Sequence, residues 1–210
     1  SKLLIVNYIS ANESYYHILD LKTKELEQIN PSEEKIAYGG AIFSKDGKGV
    51  YLTSDEDAEF QHLRYYDLES KKTKVLTADI PWDVDNFTLS DDGKYLAFIV
   101  NDDGIGKLHM LNLENNIEID LPDLPIGQVY GISFSPDSKR FSLVLNTPTS
   151  PGDIYILDLK TKKLERWTES EVGGLKTDNF VKPQLIHYPT FDEVDGKSRM
   201  IPAFIYKPKD

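Results

Sequence analysis

The sequence predicts an all-β chain that forms part of a β-propeller, on three observations. A hexapeptide recurs as Phe43-Ser44-Lys45-Asp46-Gly47-Lys48, Leu89-Ser90-Asp91-Asp92-Gly93-Lys94 and Phe134-Ser135-Pro136-Asp137-Ser138-Lys139, its first serines 46 and 45 residues apart. That period suits blades of four strands. The third strand of each copy is apolar on both faces. After Thr168 the repeat stops, and a tail of different character follows.

The chain opens with apolar segments Leu3 to Tyr8, Ser14 to Leu21 and Glu25 to Ile29, separated by Asn12-Glu13 and Lys22-Thr23-Lys24 turns. They read as consecutive antiparallel strands. Lys2 aligns with Lys48 and Asp20 with Asp67, so this incomplete copy, about residues 1–30, is expected to lack its innermost strand. Three fuller copies follow at about 38–77, 85–121 and 129–168, about three and a half blades in all. In each, a Ser-x-Asp turn joins the first two strands. Asp-Gly supplies the positive φ of a tight hairpin, and the serine hydroxyl can bond the turn backbone.

The third strands align on Asp20, Asp67, Asn112 and Asp158. Two residues earlier stand Ile18, Tyr65, Met110 and Ile156, and one residue earlier Leu19, Tyr66, Leu111 and Leu157. Neighbouring strand residues point to opposite faces. Strands apolar on both faces need a sheet on each side, which stacked blades supply and a lone sandwich sheet does not. Residues 1–170 are therefore expected to be the partial propeller. Residues 171–210 are expected to form a glycine-containing linker and a hairpin, with strands at Gln184 to Phe191 and Met200 to Lys207 around an Asp192-to-Lys197 turn.

Composition narrows the function classes. The 210 residues are 40% hydrophobic, carry a net charge of −11 and include no cysteine. No Lys/Arg block offsets the negative field, so a phosphate backbone is repelled and nucleic acid is not an expected partner. No apolar run approaches the roughly 20 residues of a membrane-spanning helix, so no membrane association is expected. Without cysteine there is no disulfide, thiolate metal site or cysteine nucleophile. The first residues lack a signal-peptide pattern, and the missing initiating Met implies a processed or excised chain. Cytoplasmic residence is the expectation, although cysteine-free chains are also found in the periplasm.

The residues that could carry chemistry read as structural. Gly131-Ile132-Ser133-Phe134-Ser135 approaches the nucleophile-elbow pattern but lacks its last glycine, and it lies in a first strand followed by a hairpin. His17, His62, His109 and His187 have no metal-ligand spacing. Asp55-Glu56-Asp57, Asp83 with Asp85, Asp102-Asp103-Gly104 and Asp192 to Asp195 do not complete a calcium-loop ladder. Gly104 and Gly106 do not form a dinucleotide fingerprint. Trp82 could serve a binding surface, and Trp167 reads as outer-edge packing in a fourth strand. No catalytic, cofactor or metal residue is assigned. A sugar or lactone enzyme on a propeller would need a clustered metal site that the sequence does not show.

The order of parts resembles the prolyl oligopeptidase family of serine peptidases, especially its acylaminoacyl peptidase-like branch. The resemblance rests on the Ser-x-Asp-Gly-Lys turns, Arg166-Trp167-Thr168-Glu169-Ser170 and Phe180-Val181-Lys182-Pro183-Gln184-Leu185-Ile186. It rests also on the closing stretch His187-Tyr188-Pro189-Thr190-Phe191-Asp192, Asp195-Gly196 and Ile201-Pro202-Ala203-Phe204-Ile205-Tyr206-Lys207-Pro208. The resemblance implies a crossover into an α/β-hydrolase domain that holds the catalytic Ser, Asp and His beyond Asp210. It implies a propeller that restricts entry to short peptides. Glu33-Glu34 lacks the motif around the amino-terminus-binding Glu pair of dipeptidyl peptidases, so that role is not carried over. The competing reading is a stand-alone TolB-like propeller that binds a protein or peptide. An open arc leaves apolar blade faces uncovered, so self-association is expected.

Overall fold

The chain, seen in a computed structural model, is described over residues 1–194 and 196–208. Blade I has three strands: β1 (Lys2–Ser10), β2 (Glu13–Asp20) and β3 (Leu26–Gln28). Blade II contains β4 (Tyr38–Phe43), β5 (Gly49–Ser54), β6 (His62–Asp67) and β7 (Thr73–Val75). Blade III contains β8 (Val84–Leu89), β9 (Tyr95–Asp102), β10 (Ile105–Asn112) and β11 (Ile117–Glu118). Blade IV contains β12 (Gln128–Phe134), β13 (Arg140–Thr147), β14 (Ser150–Asp158) and β15 (Leu164–Arg166). A single 3₁₀ turn (Thr177–Asn179) then leads to the hairpin β16 (Gln184–Val194) and β17 (Lys197–Ile205). Asp195, in the expected hairpin turn, and Asp210 lie outside the described residues.

Each sheet is an antiparallel meander in sequence order, and the first strands β4, β8 and β12 touch in succession. The three-stranded first sheet is the one expected without an innermost strand. Alternation then assigns the core. On β5, Val50 and Leu52 pack toward blade I, while Tyr51 packs toward blade III. On β9, Leu96, Phe98 and Val100 face blade II, while Ala97 and Ile99 face blade IV. Each middle blade is thus buried on both faces, as the paired apolar positions require.

Serine turns lock the bottom of every full blade. Ser44, Ser90 and Ser135 each accept from a backbone N–H five residues on, at Gly49, Tyr95 and Arg140, over 2.9–3.0 Å. Their hydroxyls donate to Asp46, Asp92 and Asp137 at 2.6–2.7 Å. These aspartates in turn accept from the N–H groups of Lys48, Lys94 and Lys139. The serine and aspartate are spent on the backbone. Because Ser90 is fully buried, Ser90→Ala leaves the Tyr95 N–H without its acceptor and takes one donor from Asp92. It should cost about 1–2 kcal/mol, measured as a lower urea midpoint with an unchanged m-value.

The second full copy has the same four strands as its neighbours, but its outer strand β11 is only two residues long and the chain leaves the sheet after Ile119. Pro122 and Pro125 in the following stretch withhold N–H groups that a continued ladder needs. Trp167 lies just past β15 and is 60% exposed. It does not pack the outer edge.

Candidate functional site at the end of the blade array

The chain leaves blade IV through a clamp centred on Asp153. This carboxylate sits on β14 with a fully buried side chain. It accepts from Arg166 Nη2 at 2.6 Å, Ser150 Oγ at 2.8 Å, the Ser170 N–H at 2.8 Å and Thr168 Oγ1 at 3.0 Å. Thr168 Oγ1 also accepts from the Ile154 N–H at 2.9 Å, and Ser170 Oγ donates to the Gly152 carbonyl. The segment Arg166-Trp167-Thr168-Glu169-Ser170 is thereby sewn along the start of β14. Burial pushes the Asp153 carboxyl up, but the four hydrogen bonds outweigh it and bring the group down to about 2.

Beyond the clamp, Glu171 Oε1 accepts from the N–H groups of Gly173 and Gly174, both at positive φ. The chain then turns back across the blade end that carries the second-to-third-strand loops. There the hairpin rests on blade III. His187 Nε2 lies 2.7 Å from Asp103 Oδ2 in the β9–β10 turn. The Phe204 ring covers Gly104, where an added Cβ would come within 3.0 Å of it. Gly104 has φ +84°, so this turn needs glycine for both its conformation and its contact. Between linker and blade IV lies a cleft of about 840 Å³ lined in part by Tyr155, Arg166, Ser170, Phe180 and Pro183.

The sequence candidates do not converge. Ser133 Oγ donates to the neighbouring Phe134 carbonyl, and no histidine bonds it among the described residues. His17 pairs across strands with Ile5 and Gln28. His109 is stacked on Phe98 with centroids 5.0 Å apart and bonds Glu118 at 2.6 Å. His62 has a buried Nδ1 with no partner among the described residues. No group of three or more possible metal ligands forms among the described residues. Trp82 packs against the core between blades II and III, its ring 6.1 Å from that of Phe60. Glu33 and Glu34 are exposed in the linker before β4.

Sequence reasoning missed the Asp153 clamp. Its signals were Ser150, Asp153, Thr168 and Ser170, all small polar residues at the end of the last copy. It also missed an irregularity shared by the innermost strands. β4, β8 and β12 each carry one extra residue against their partner strand, at Tyr38–Ala41, Val84–Asn86 and Tyr130–Ser133. Such bulges re-aim side chains next to the central axis. In β8 the residue involved is Asp85, whose carboxyl is pushed up by partial burial and by Asp83. No described helix is long and apolar enough to cross a membrane.

Comparison with known proteins agrees with this architecture. A comparison with curated protein sequences finds no match. Among solved structures, a prolyl endopeptidase from a study of two such enzymes superposes on the whole chain with a TM-score of 0.78 and 17% identity. A puromycin-hydrolysing peptidase from Mycobacterium tuberculosis covers 98% of the chain with a TM-score of 0.76 and 14% identity. TolB from Acinetobacter baumannii covers 97% with a TM-score of 0.63 and 19% identity. The chain spans 30% of the prolyl endopeptidase, 32% of the mycobacterial peptidase and 54% of TolB. The model of the dipeptidyl peptidase IV (DPP IV) N-terminal region matches residues 40–152, more than half of the chain. The protein belongs to that family and is a propeller region of the prolyl oligopeptidase type.

Proposed function

We propose that this chain is the non-catalytic propeller portion of a serine peptidase of the prolyl oligopeptidase family, from a parent that resembles its acylaminoacyl peptidase-like branch. In this reading residues 1–170 are propeller and residues 171–210 lead into an α/β-hydrolase domain that carries the catalytic triad. The propeller limits which peptides reach that domain. The observation that carries the proposal is the non-repeating hairpin, placed by the Asp153 clamp across one end of the blades. A second domain following β17 would begin on that same end. Cytoplasmic residence is part of the proposal.

The test is an assay of the 210-residue chain and of a longer parent on short peptide and acyl-amino-acid chromogenic substrates. Turnover is expected from the parent alone. Activity in the 210-residue chain, or an inactive parent, overturns the reading.

A stand-alone propeller that binds a protein or peptide partner is the second reading, and the likeness to TolB favours it. For either reading we propose self-association of the open arc. On blade IV, Tyr130, Val144 and Ile154 are aligned by register, and the Trp167 N–H bonds the Ile154 carbonyl. Tyr130 is 47%, Ile154 41% and Trp167 60% exposed. Light scattering is expected to show a concentration-dependent dimer that Trp167→Ser weakens; a stable monomer at high concentration removes this part.

A further inference from the structure

Blade III is the one full blade whose outer strand stops short, and hydrogen-bond alternation shows what that leaves open. The Leu113 N–H bonds the Lys94 carbonyl, so odd-numbered residues of β10 pair with β9. Even-numbered residues therefore direct their N–H and C=O outward. Met110 receives the Ile119 N–H at 2.7 Å, and the Gly106 N–H donates to the Gly127 carbonyl at 2.9 Å. Between these two ties the segment 120–126 arches away. Beneath it, the N–H and C=O of Leu108 have no hydrogen-bond partner among the described residues.

The corresponding groups in blades II and IV are satisfied. Leu63 receives the Leu76 N–H and donates to Thr77 Oγ1, while Ile154 receives the Trp167 N–H and donates to Thr168 Oγ1. Blade III replaces those outer partners with a cleft of about 610 Å³ between the arch and blade IV. Its apolar wall includes Leu143, Leu157 and Leu164, and its rim includes Asp120 and Asp123. Glu118 also lines it but is engaged by His109, and Lys107 is engaged by Asp102.

We propose that this cleft binds an extended peptide segment of a partner protein, which adds as an antiparallel strand to the free edge of β10. One residue of the peptide pairs with Leu108 through both main-chain hydrogen bonds. The side chain of that residue lies on the same face as Leu108 and must be apolar, because this face packs with Leu143 and Leu157. Basic residues flanking it are favoured by Asp120 and Asp123, which outnumber the uncommitted cations at the rim. Lys162 is within electrostatic reach of Asp120 and tempers that preference. The proposal does not depend on a peptidase parent.

The probe is a blocked lysine-threonine-leucine-threonine-lysine pentapeptide, titrated into the full chain while amide hydrogen exchange at Leu108 is followed by NMR. The Leu108 amide is expected to exchange rapidly in the free chain and to slow by about tenfold or more with peptide, a factor equivalent to 1.4 kcal/mol. N-methylation at the central leucine should abolish the effect. Asp120→Asn combined with Asp123→Asn should weaken binding about threefold to tenfold at low salt, without changing the free-state exchange pattern. Slow Leu108 exchange before peptide is added overturns the proposal, because the group is then already partnered. Equal protection by the N-methylated peptide, or none by the parent peptide, also overturns it.

Discussion

Phe141→Ala is expected to be among the most damaging single substitutions in this chain, lowering stability by about 3–5 kcal/mol. Phe141 is fully buried between blades III and IV, where it meets Ala97, Ile99, Met110, Leu143 and Leu157. Its ring also packs edge-on against Phe134 with centroids 4.8 Å apart. Removing the ring deletes buried apolar area and leaves a cavity between two rigid sheets. Blade III cannot close the gap without disturbing its other face, which is itself packed on blade II. Urea unfolding should show the loss as a lower midpoint. A change below about 1 kcal/mol would mean that the blades repack freely, contrary to an interior of jigsaw density.

Asp153→Asn is expected to cost about 2–4 kcal/mol and to release the exit segment. The amide keeps the shape but cannot match a charged acceptor for Arg166, and it leaves donors from Ser150, Thr168 and Ser170 competing for one oxygen. Arg166 is partly exposed, so water recovers some of its loss. Amides of Ile154 and Ser170 should exchange faster in the variant, with the amides of β5 unaffected. The same group sets a pH dependence. Its folded value of about 2 lies below the unfolded value of about 3.9, so its stabilisation is complete above about pH 4. That contribution is on the order of 2 kcal/mol and is lost as pH falls from about 4 through about 2. Asp153→Asn should flatten the stability curve in that window. A wild-type curve that is already flat there would show that Asp153 is not held ionised.

These two residues separate what was legible from what was not. Phe141 is legible as core because it follows the third Ser-x-Asp turn and begins the alternation Phe141, Leu143 and Leu145. The role of Asp153 is not, since its partners lie as far as 17 residues away and come together only when β14 and β15 pair. The same holds for Leu108, whose sequence neighbours look like those of Leu63. Its exposure follows from where the outer strand departs, which depends on Pro122 and on the return tie at Gly127.

The sequence alone determined the propeller class and its run of about three and a half blades. Each of these is written in local chemistry: a Ser-x-Asp turn every 45–46 residues and strands apolar on both faces. The tertiary structure decided which polar groups are spent and which are left over. It sewed the exit segment to β14, set His187 beside Asp103 and left the edge of β10 open under the arch. The physical reason is that hydrogen-bond satisfaction is a property of paired strands. Local pattern specifies a strand and its buried face, whereas the partner of each outward N–H and C=O is chosen only when the next segment arrives or turns away.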